Sequence, residues 1–427
     1  MIHKFTGSIW ALLEYLCYPL IIFVATPYLL HTLGAENYGY WMLLNAIVSL
    51  GVVLNVGTSA ATIKLISAGI GKQNNGDITH IVNSSLTIAI FGGGLLALII
   101  SIVFSLMGTG LFEKMSNHSL LLLTGLTAAL LAWIEQIDNV FTSTIKGSEK
   151  FGLAAKIEII SKTLQILVAV LVVGFSGSMA AFYFSFVIVA VCRLFIKYLV
   201  VKKYLNISNF KLGLNGVRET LIYAKWGWLQ GLGSLLFGVA DRFLVGSIMG
   251  ATALTYYSVA TQLAQQIHAI SSAGLSVIFP KISRKIEGAS SFSLRKIAHL
   301  AIMGNFFISS VLAISLFIFG HDILLIWLGT SIASTSSEIL FYLTIGYWLL
   351  AMNVAPHFIL LAIGRMKFVA LSNVVAGIVS LTIMFILIGS NGLVGVGVAR
   401  ILYGIITLVN FLSLFDYLKK RNEKYIE

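Results

Sequence analysis

Ten ionisable residues fall inside long apolar segments of this chain. The five cations are Lys162, Arg193, Lys225, Arg242 and Arg400, and the five acids are Glu14, Glu135, Asp138, Glu158 and Asp241. A charge near the centre of a bilayer costs at least about 2.5–3.5 kcal/mol, so each must face a polar cavity or a partner. The cations predict a site for an anionic compound that carries phosphate or acidic sugars. The acids predict either coupling to protons or sodium, or charge pairing with the cations.

Arg242 is the first candidate for anion binding, and it follows Asp241 directly. Neighbouring residues point about 100° apart on a helix, so the two cannot both face one partner well. The planar arginine fork can bind two phosphate oxygens at once, which suits the wall of a cavity. The alternative is a structural ion pair with another helix. Arg400 shares these two interpretations, whereas Arg193 and Lys225 could also extend to the cytoplasmic headgroups.

Two spacings place charges on one helical face. Glu158 precedes Lys162 by four residues, which is the favourable order for an intrahelical pair. This pair could neutralise itself or change its protonation during transport. Glu135 precedes Asp138 by three residues and could bind a coupling ion or pair with buried cations.

The elements that carry these residues are predicted to be membrane helices. Of 427 residues, 58% are hydrophobic and 10% are charged, with a mean hydropathy of +0.95. No soluble domain buries that much apolar surface. The two cysteines, Cys17 and Cys192, fall in apolar segments, so disulfide bonding is not expected. The first apolar segment follows Met1–Phe5 without a small-residue cleavage site, so we expect a membrane helix there.

Twelve apolar segments are long enough to cross a bilayer, which takes about 20 residues each. They lie near 8–32, 38–62, 79–106, 118–144, 152–175, 178–201, 218–248, 253–278, 295–319, 335–362, 367–389 and 392–416. The predicted fold class is an all-α integral membrane protein with twelve transmembrane helices.

The chain also repeats itself at a spacing of 216 to 217 residues. Leu33-Gly34-Ala35 falls on Met249-Gly250-Ala251, and Lys150-Phe151 falls on Lys367-Phe368. An even number of spans in each copy makes the repeats parallel, about an axis along the membrane normal. We therefore expect an N-terminal six-helix bundle at 1–205 and a C-terminal one at 206–427. The buried charges are not repeated as charges, since Glu14 falls on Gln230 and Arg242 falls on Thr26, which suggests that they are selected for a cargo.

The basic residues predict the orientation. With the N-terminus inside, 22 of the 28 Lys and Arg residues, Lys197 among them, lie on cytoplasmic segments and flanks, and one, Lys114, lies outside. Basic residues favour cytoplasmic loops, so both termini are expected in the cytoplasm. The net charge of +12 follows from this topology and from attraction to membrane lipids, and nucleic-acid binding is not expected.

Prolines mark candidate hinges. Pro19 and Pro27 lie in the first predicted span and Pro356 in the tenth. A proline removes one backbone hydrogen bond of a helix and allows a bend. The alternative is a static kink.

The chain resembles the polysaccharide transporters of the MOP superfamily, and within it the Wzx-type O-antigen flippases. The resemblance covers nearly the whole chain and rests on loose motifs, Leu33-Gly34-Ala35-Glu36-Asn37-Tyr38-Gly39 and Asp241-Arg242-Phe243-Leu244-Val245-Gly246. It implies a V-shaped pair of bundles in a bacterial inner membrane and transport by alternating access. The implied cargo is an undecaprenyl-diphosphate-linked oligosaccharide that moves to the outer leaflet. The polysaccharide polymerase and the chain-length machinery are the implied protein partners.

Two other functions stay open. A multidrug or organic-cation exporter of the same superfamily would be expected to have acid-dominated bundles, whereas this chain has five buried cations. A membrane enzyme would need a sizeable loop with catalytic residues, and no connection exceeds about 16 residues. The sequence shows no phosphate-binding glycine loop, no His/Cys metal spacing and no nucleophile–base arrangement. We therefore expect neither catalytic residues nor a cofactor.

Overall fold

A computed structural model describes residues 2–71, 75–106, 108–205, 238–276 and 291–423, with a few isolated positions between 212 and 236. The described residues form helices and no strands. In chain order the helices are α1 (Ile2–Gly71), α2 (Asn75–Leu106), α3 (Gly108–Leu111), α4 (His118–Gly147), α5 (Phe151–Ser176), α6 (Met179–Leu205), α7 (Ala240–Met249), α8 (Ala251–Ser276), α9 (Ser291–Leu328), α10 (Thr330–Met352), α11 (Val354–Ala362), α12 (Met366–Thr407) and α13 (Val409–Glu423). The all-α fold class predicted from the sequence is confirmed.

Glycines break the two longest helices. α1 has a non-helical backbone at Gly34 (φ 78°, ψ 163°), and α12 has one at Gly392 (φ 55°, ψ −137°). Side chains with a Cβ rarely adopt positive φ, so glycine is suited to both positions. The break at Gly34 lies in a predicted connection between two spans, and the break at Gly392 lies at the first residue of the twelfth predicted span. Each long helix therefore consists of two helical segments.

The surface of the helices suits a lipid environment. Eight described helical segments are long and apolar enough to cross a membrane. Large apolar side chains point outward, and Phe175 and Ile326 are 90% and 87% exposed. α8 is not among the eight segments, and much of the seventh predicted span lies outside the described residues. The number twelve stays a prediction.

The chain packs as two compact units, Met1–Thr252 and Ala253–Glu427. In the first unit, α4 packs against α1, α2 and α6, and α5 packs against α1 and α6. In the second unit, α10 packs against α9 and α12. α7 contacts α1, which places it in the first unit by packing. The predicted boundary at 205/206 concerns the duplicated repeats and stays a prediction.

Gly39, the last residue of the first sequence motif, lies against Ala251 inside the first unit. A Cβ at Gly39 would overlap the carbonyl group of Ala251. Tyr38 and Trp41 on either side are fully buried and pack edge to face, with ring centroids 5.2 Å apart. The motif is therefore a helix-packing element.

Candidate functional site

The first unit contains a charge network built by three helices. α4 supplies Glu135 and Asp138, α5 supplies Glu158 and Lys162, and α6 supplies Arg193 and Lys197. Spacings of three or four residues put each pair on one helical face. We call these six residues the α4–α6 network.

Lys197 lies at the centre of the network, and its side chain is 0% exposed. Its Nζ lies 2.6 Å from Oδ2 of Asp138 and 2.7 Å from Oγ1 of Thr142, and it also contacts Oε1 of Glu158. An ammonium has three N–H donors, so these three oxygens satisfy all of them.

Arg193 joins the three acids of the network. Its Nη2 donates to Oε1 of Glu135 at 2.5 Å. Its Nε lies 3.4 Å from Oδ1 of Asp138, and its Nη1 lies 3.9 Å from Oε2 of Glu158. The Arg193 side chain is 3% exposed, so its pairs with Asp138 and Glu158 are shielded from solvent, and the three contacts bind α6 to α4 and α5.

The edge of the network is more open. Lys162 and Glu135 are each 34% exposed, whereas Asp138 and Glu158 are nearly enclosed. Nζ of Lys162 lies 3.7 Å from Oε2 of Glu158 and 5.3 Å from the ring centroid of Tyr18 on α1. Lys162 therefore links the network to the helix that contains Pro19 and Pro27.

The network contains three acids and three cations, so it is neutral when all six groups are ionised. Five of these six residues were candidates from the sequence, all except Lys197. The sequence allowed either charge pairing or ion coupling for Glu158 with Lys162 and for Glu135 with Asp138. The geometry shows that these residues form ion pairs. Lys197 was missed as a candidate because it was counted with the basic cytoplasmic flank. Its spacing of four from Arg193 within an apolar stretch was the signal that could have identified it.

Asp241 and Arg242 begin α7 and have different surroundings. Asp241 is 1% exposed, whereas Arg242 is half-buried. Nε of Arg242 has no hydrogen-bond partner among the described residues. Arg242 also interacts electrostatically with Tyr18 of α1. Unlike Arg193, it is not enclosed by carboxylates in the described part of the chain.

Arg400 lies in the second unit and is 4% exposed. Its Nε donates to Oη of Tyr257 at 3.1 Å, and its guanidinium lies 6.0 Å from the ring centroid of Tyr347. Lys225 and the side chain of Glu14 lie outside the described residues. Pro19 and Pro27 lie within α1, and Pro356 is the third residue of α11, where the first helical turn tolerates proline.

The second unit contains a neutral counterpart to the network. Nδ2 of Asn410 donates to Oδ1 of Asn353 at 3.1 Å, and Oγ of Ser372 donates to Oδ1 of Asn410 at 3.1 Å. Under the 217-residue shift, Asn410 corresponds to Arg193 and Asn353 to Gln136. The position of the buried Arg193 in the first unit is thus taken by a neutral amide in the second. Among the described residues, no group of three or more His, Cys, Asp and Glu side chains is arranged to hold a metal.

Comparison with known proteins identifies the family. The profile of the family described as polysaccharide biosynthesis protein matches residues 5–286, more than half of the chain. The chain belongs to this family. A Shigella flexneri protein named as a candidate O-antigen transporter is 24% identical over 399 residues, covering 92% of this chain and 93% of that protein. The uncharacterized membrane protein EpsK of Bacillus subtilis is 22% identical, covering 91% and 77% of the two chains.

Solved structures show the fold that this member of the polysaccharide biosynthesis family adopts. An inward-facing multidrug resistance MATE transporter of the MOP superfamily matches with a TM-score of 0.76 and 15% identity, over 96% of both chains. The lipid II flippase MurJ, in an inward closed conformation, matches with a TM-score of 0.70 and 16% identity, over 97% of this chain and 87% of that one. The family resemblance that the sequence indicated is confirmed, and the fold is shared with the MATE transporter and with MurJ.

Proposed function

We propose that the protein is a flippase that moves an undecaprenyl-diphosphate-linked oligosaccharide, such as an O-antigen repeat unit, from the cytoplasmic to the outer leaflet of a bacterial inner membrane. The observation that carries the proposal is the match to the polysaccharide biosynthesis family over residues 5–286. The name of the Shigella relative and the fold shared with a lipid II flippase support it. Transport proceeds by alternating access.

Arg242 is the proposed contact for the diphosphate. Its guanidinium is half-buried, and its Nε has no hydrogen-bond partner among the described residues, so this atom can donate to a phosphate oxygen. Lys162 at the open edge of the α4–α6 network is the second proposed contact. Arg400 and Lys225 remain candidates. Arg193 contributes through its ion pairs, because an anion at its guanidinium would have to displace three carboxylates.

Ion coupling is proposed to act through the acids of the α4–α6 network. Protonation of Glu135, Asp138 or Glu158 would leave the buried cations that it contacts with one counter-ion fewer, which changes how strongly α4, α5 and α6 are held together. Glu14 and Asp241 are further candidates for this role. Pro19, Pro27 and Pro356 are the proposed bending points.

The proposed setting is the inner membrane, with both termini in the cytoplasm and membrane lipids around the helices. The polysaccharide polymerase and the chain-length machinery are the proposed protein partners. They act on the same lipid-linked units after transfer to the outer leaflet.

Deletion of the gene in its native host tests the proposal. We expect loss of surface polysaccharide and accumulation of complete lipid-linked units on the inner leaflet, both restored by the wild-type gene. Normal surface polysaccharide in the deletion strain would contradict the proposal.

A multidrug or organic-cation exporter is the second candidate, because the MATE transporter shares the fold with a TM-score of 0.76. The same deletion strain separates the two. An exporter predicts unchanged polysaccharide and increased sensitivity to cationic drugs.

A further inference from the structure

Three oxygens enclose the Lys197 ammonium in the way that ligands enclose a metal ion. We call Oδ2 of Asp138, Oγ1 of Thr142 and Oε1 of Glu158 the Lys197 cage. The Lys197 side chain is 0% exposed, and the side chains of Asp138 and Glu158 are 3% and 9% exposed. The ammonium is therefore held in a dry, oxygen-lined site between α4, α5 and α6.

The charges around the cage already balance. Asp138 and Glu158 contribute two negative charges, and Lys197 and Arg193 contribute two positive ones. An additional cation at this place would give the buried group a net positive charge. Since an uncompensated charge is costly in a dry interior, the cage has no affinity for a free cation while Lys197 is present.

The same oxygens would suit an alkali cation if the ammonium were absent. Carboxylate and hydroxyl oxygens are the ligands that hard cations prefer. Removal of the Lys197 ammonium leaves a net charge of −1 on Asp138, Glu158 and Arg193, together with a space of the size of the ammonium group. A sodium or potassium ion could restore both the charge balance and the oxygen contacts.

We propose that Lys197 acts as a tethered cation: it permanently fills a site that binds sodium or potassium when the lysine is removed. The α4–α6 network is thereby independent of alkali cations, and only proton movement can change its charge. This inference goes beyond the proposed function, since it holds for any cargo.

Thermal unfolding of the full-length protein in detergent tests the inference. The midpoints are compared in sodium, potassium and choline chloride at equal ionic strength. We expect equal midpoints for the wild type. Lys197→Met should unfold at lower temperature in choline and recover by about 3–5 °C in sodium or potassium chloride, as expected for a ligand that binds only the folded state.

Two control variants define the site. Lys162→Met also removes a cation that pairs with Glu158, but this cation lies at the open edge of the network and is 34% exposed. The unfolding midpoint of this variant should not rise specifically in sodium or potassium chloride. Lys197→Met combined with Asp138→Asn leaves Glu158 and Arg193, whose charges balance without a metal ion. The unfolding midpoint of this double variant should also be the same in the three salts.

Two results would overturn the inference. One is a wild-type midpoint that rises specifically in sodium or potassium chloride. The other is a Lys197→Met variant with the same midpoint in all three salts, which would mean that a proton or a shifted Arg193 compensates the cage. If Lys197→Met gives no folded protein, Lys197→Gln, which keeps a hydrogen-bond donor, takes its place with the same two outcomes.

Discussion

Gly39 and Ala251 pack backbone to backbone, and each belongs to one copy of the internal repeat. A methyl group on Gly39 would overlap the carbonyl oxygen of Ala251, and no flexible side chain lies between them to move aside. Ala251 also corresponds to Ala35 under the 216-residue shift. The two copies of one motif thus meet in a contact that requires glycine.

Gly39→Ala should therefore destabilise the protein by about 1–3 kcal/mol, because overpacking forces the backbone of α1 away from Ala251. Thermal unfolding in detergent measures the effect. Gly92→Ala is the matched control, since a Cβ at Gly92 in α2 meets no atom within 4 Å. The control should be neutral or slightly stabilising, as alanine favours helix. Equal midpoints for the two variants would refute the packing argument.

The burial of an acid within the α4–α6 network should determine how much the free energy of unfolding falls when that acid is neutralised. Asp138→Asn, at 3% exposure, should cost about 3–5 kcal/mol, because it leaves Lys197 and Arg193 with less negative charge in a dry site. Glu135→Gln, one turn earlier and 34% exposed, should cost about 0–1 kcal/mol, since solvent screens its charge. Chemical denaturation compares the two isosteric changes, and similar costs would contradict the burial gradient.

Arg242→Ala should strongly reduce export of lipid-linked oligosaccharide without reducing the amount of folded protein, because the proposed diphosphate contact is lost. Lys162→Ala should reduce export as well. Arg242→Lys should retain part of the activity, since lysine keeps the charge but not the two-pronged geometry. Surface polysaccharide in the complemented deletion strain is the readout.

The exposed Arg295 at the start of α9 provides the control for this series. Arg295→Ala also removes an arginine charge and should leave export unchanged. Full export by both Arg242→Ala and Lys162→Ala would rule out these cations as cargo contacts.

Tyr257→Phe should lower stability by about 1–3 kcal/mol, because Nε of the buried Arg400 loses its acceptor at 3.1 Å. The neighbouring Tyr256 is only partly buried, so Tyr256→Phe is the matched control and should have little effect. Thermal unfolding gives the comparison. A Tyr257→Phe midpoint equal to that of the control would show that this hydrogen bond does not stabilise the second unit.

Cysteine labelling tests the proposed topology. In a background with Cys17 and Cys192 replaced by serine, Lys114→Cys should react with an impermeant maleimide in intact cells. Lys203→Cys should react only after permeabilisation. Both lysines are exposed, so access depends on the side of the membrane. The reverse pattern would invert the orientation that the basic residues predict.

The helices were largely predictable from the sequence, because each apolar segment long enough to span a bilayer must satisfy its backbone hydrogen bonds as a helix. The break at Gly34 also lies in a predicted connection, and the break at Gly392 lies at the first residue of the twelfth predicted span. The predicted span near 335–362 contains a turn at Asn353, which ends α10 before Pro356. The apolar pattern alone does not indicate this turn.

The network was predictable only in part. The spacing of Glu158 and Lys162 indicates a pair within one helix, and the structure shows it. Lys197 contacts Asp138 and Thr142, which lie 59 and 55 positions away in the sequence. A lysine near a helix end can extend to the lipid headgroups or can be enclosed by carboxylates. The residues next to it in the sequence can be the same in both cases. The spacing of four from Arg193 could have raised the second possibility, and the tertiary packing of α4 and α6 shows that it applies to Lys197.

The amide contact between Asn353 and Asn410 gives the two units different sensitivities to their surroundings. Carboxamides do not titrate, so acid leaves this junction intact, whereas acid can discharge the carboxylates that hold Arg193 and Lys197. Progressive acidification should therefore weaken the packing of α6 against α4, while the hydrogen bond between Asn353 and Asn410 itself persists. The charge network thus makes the contacts of α4 and α6 responsive to acid in a way that the amide contact is not.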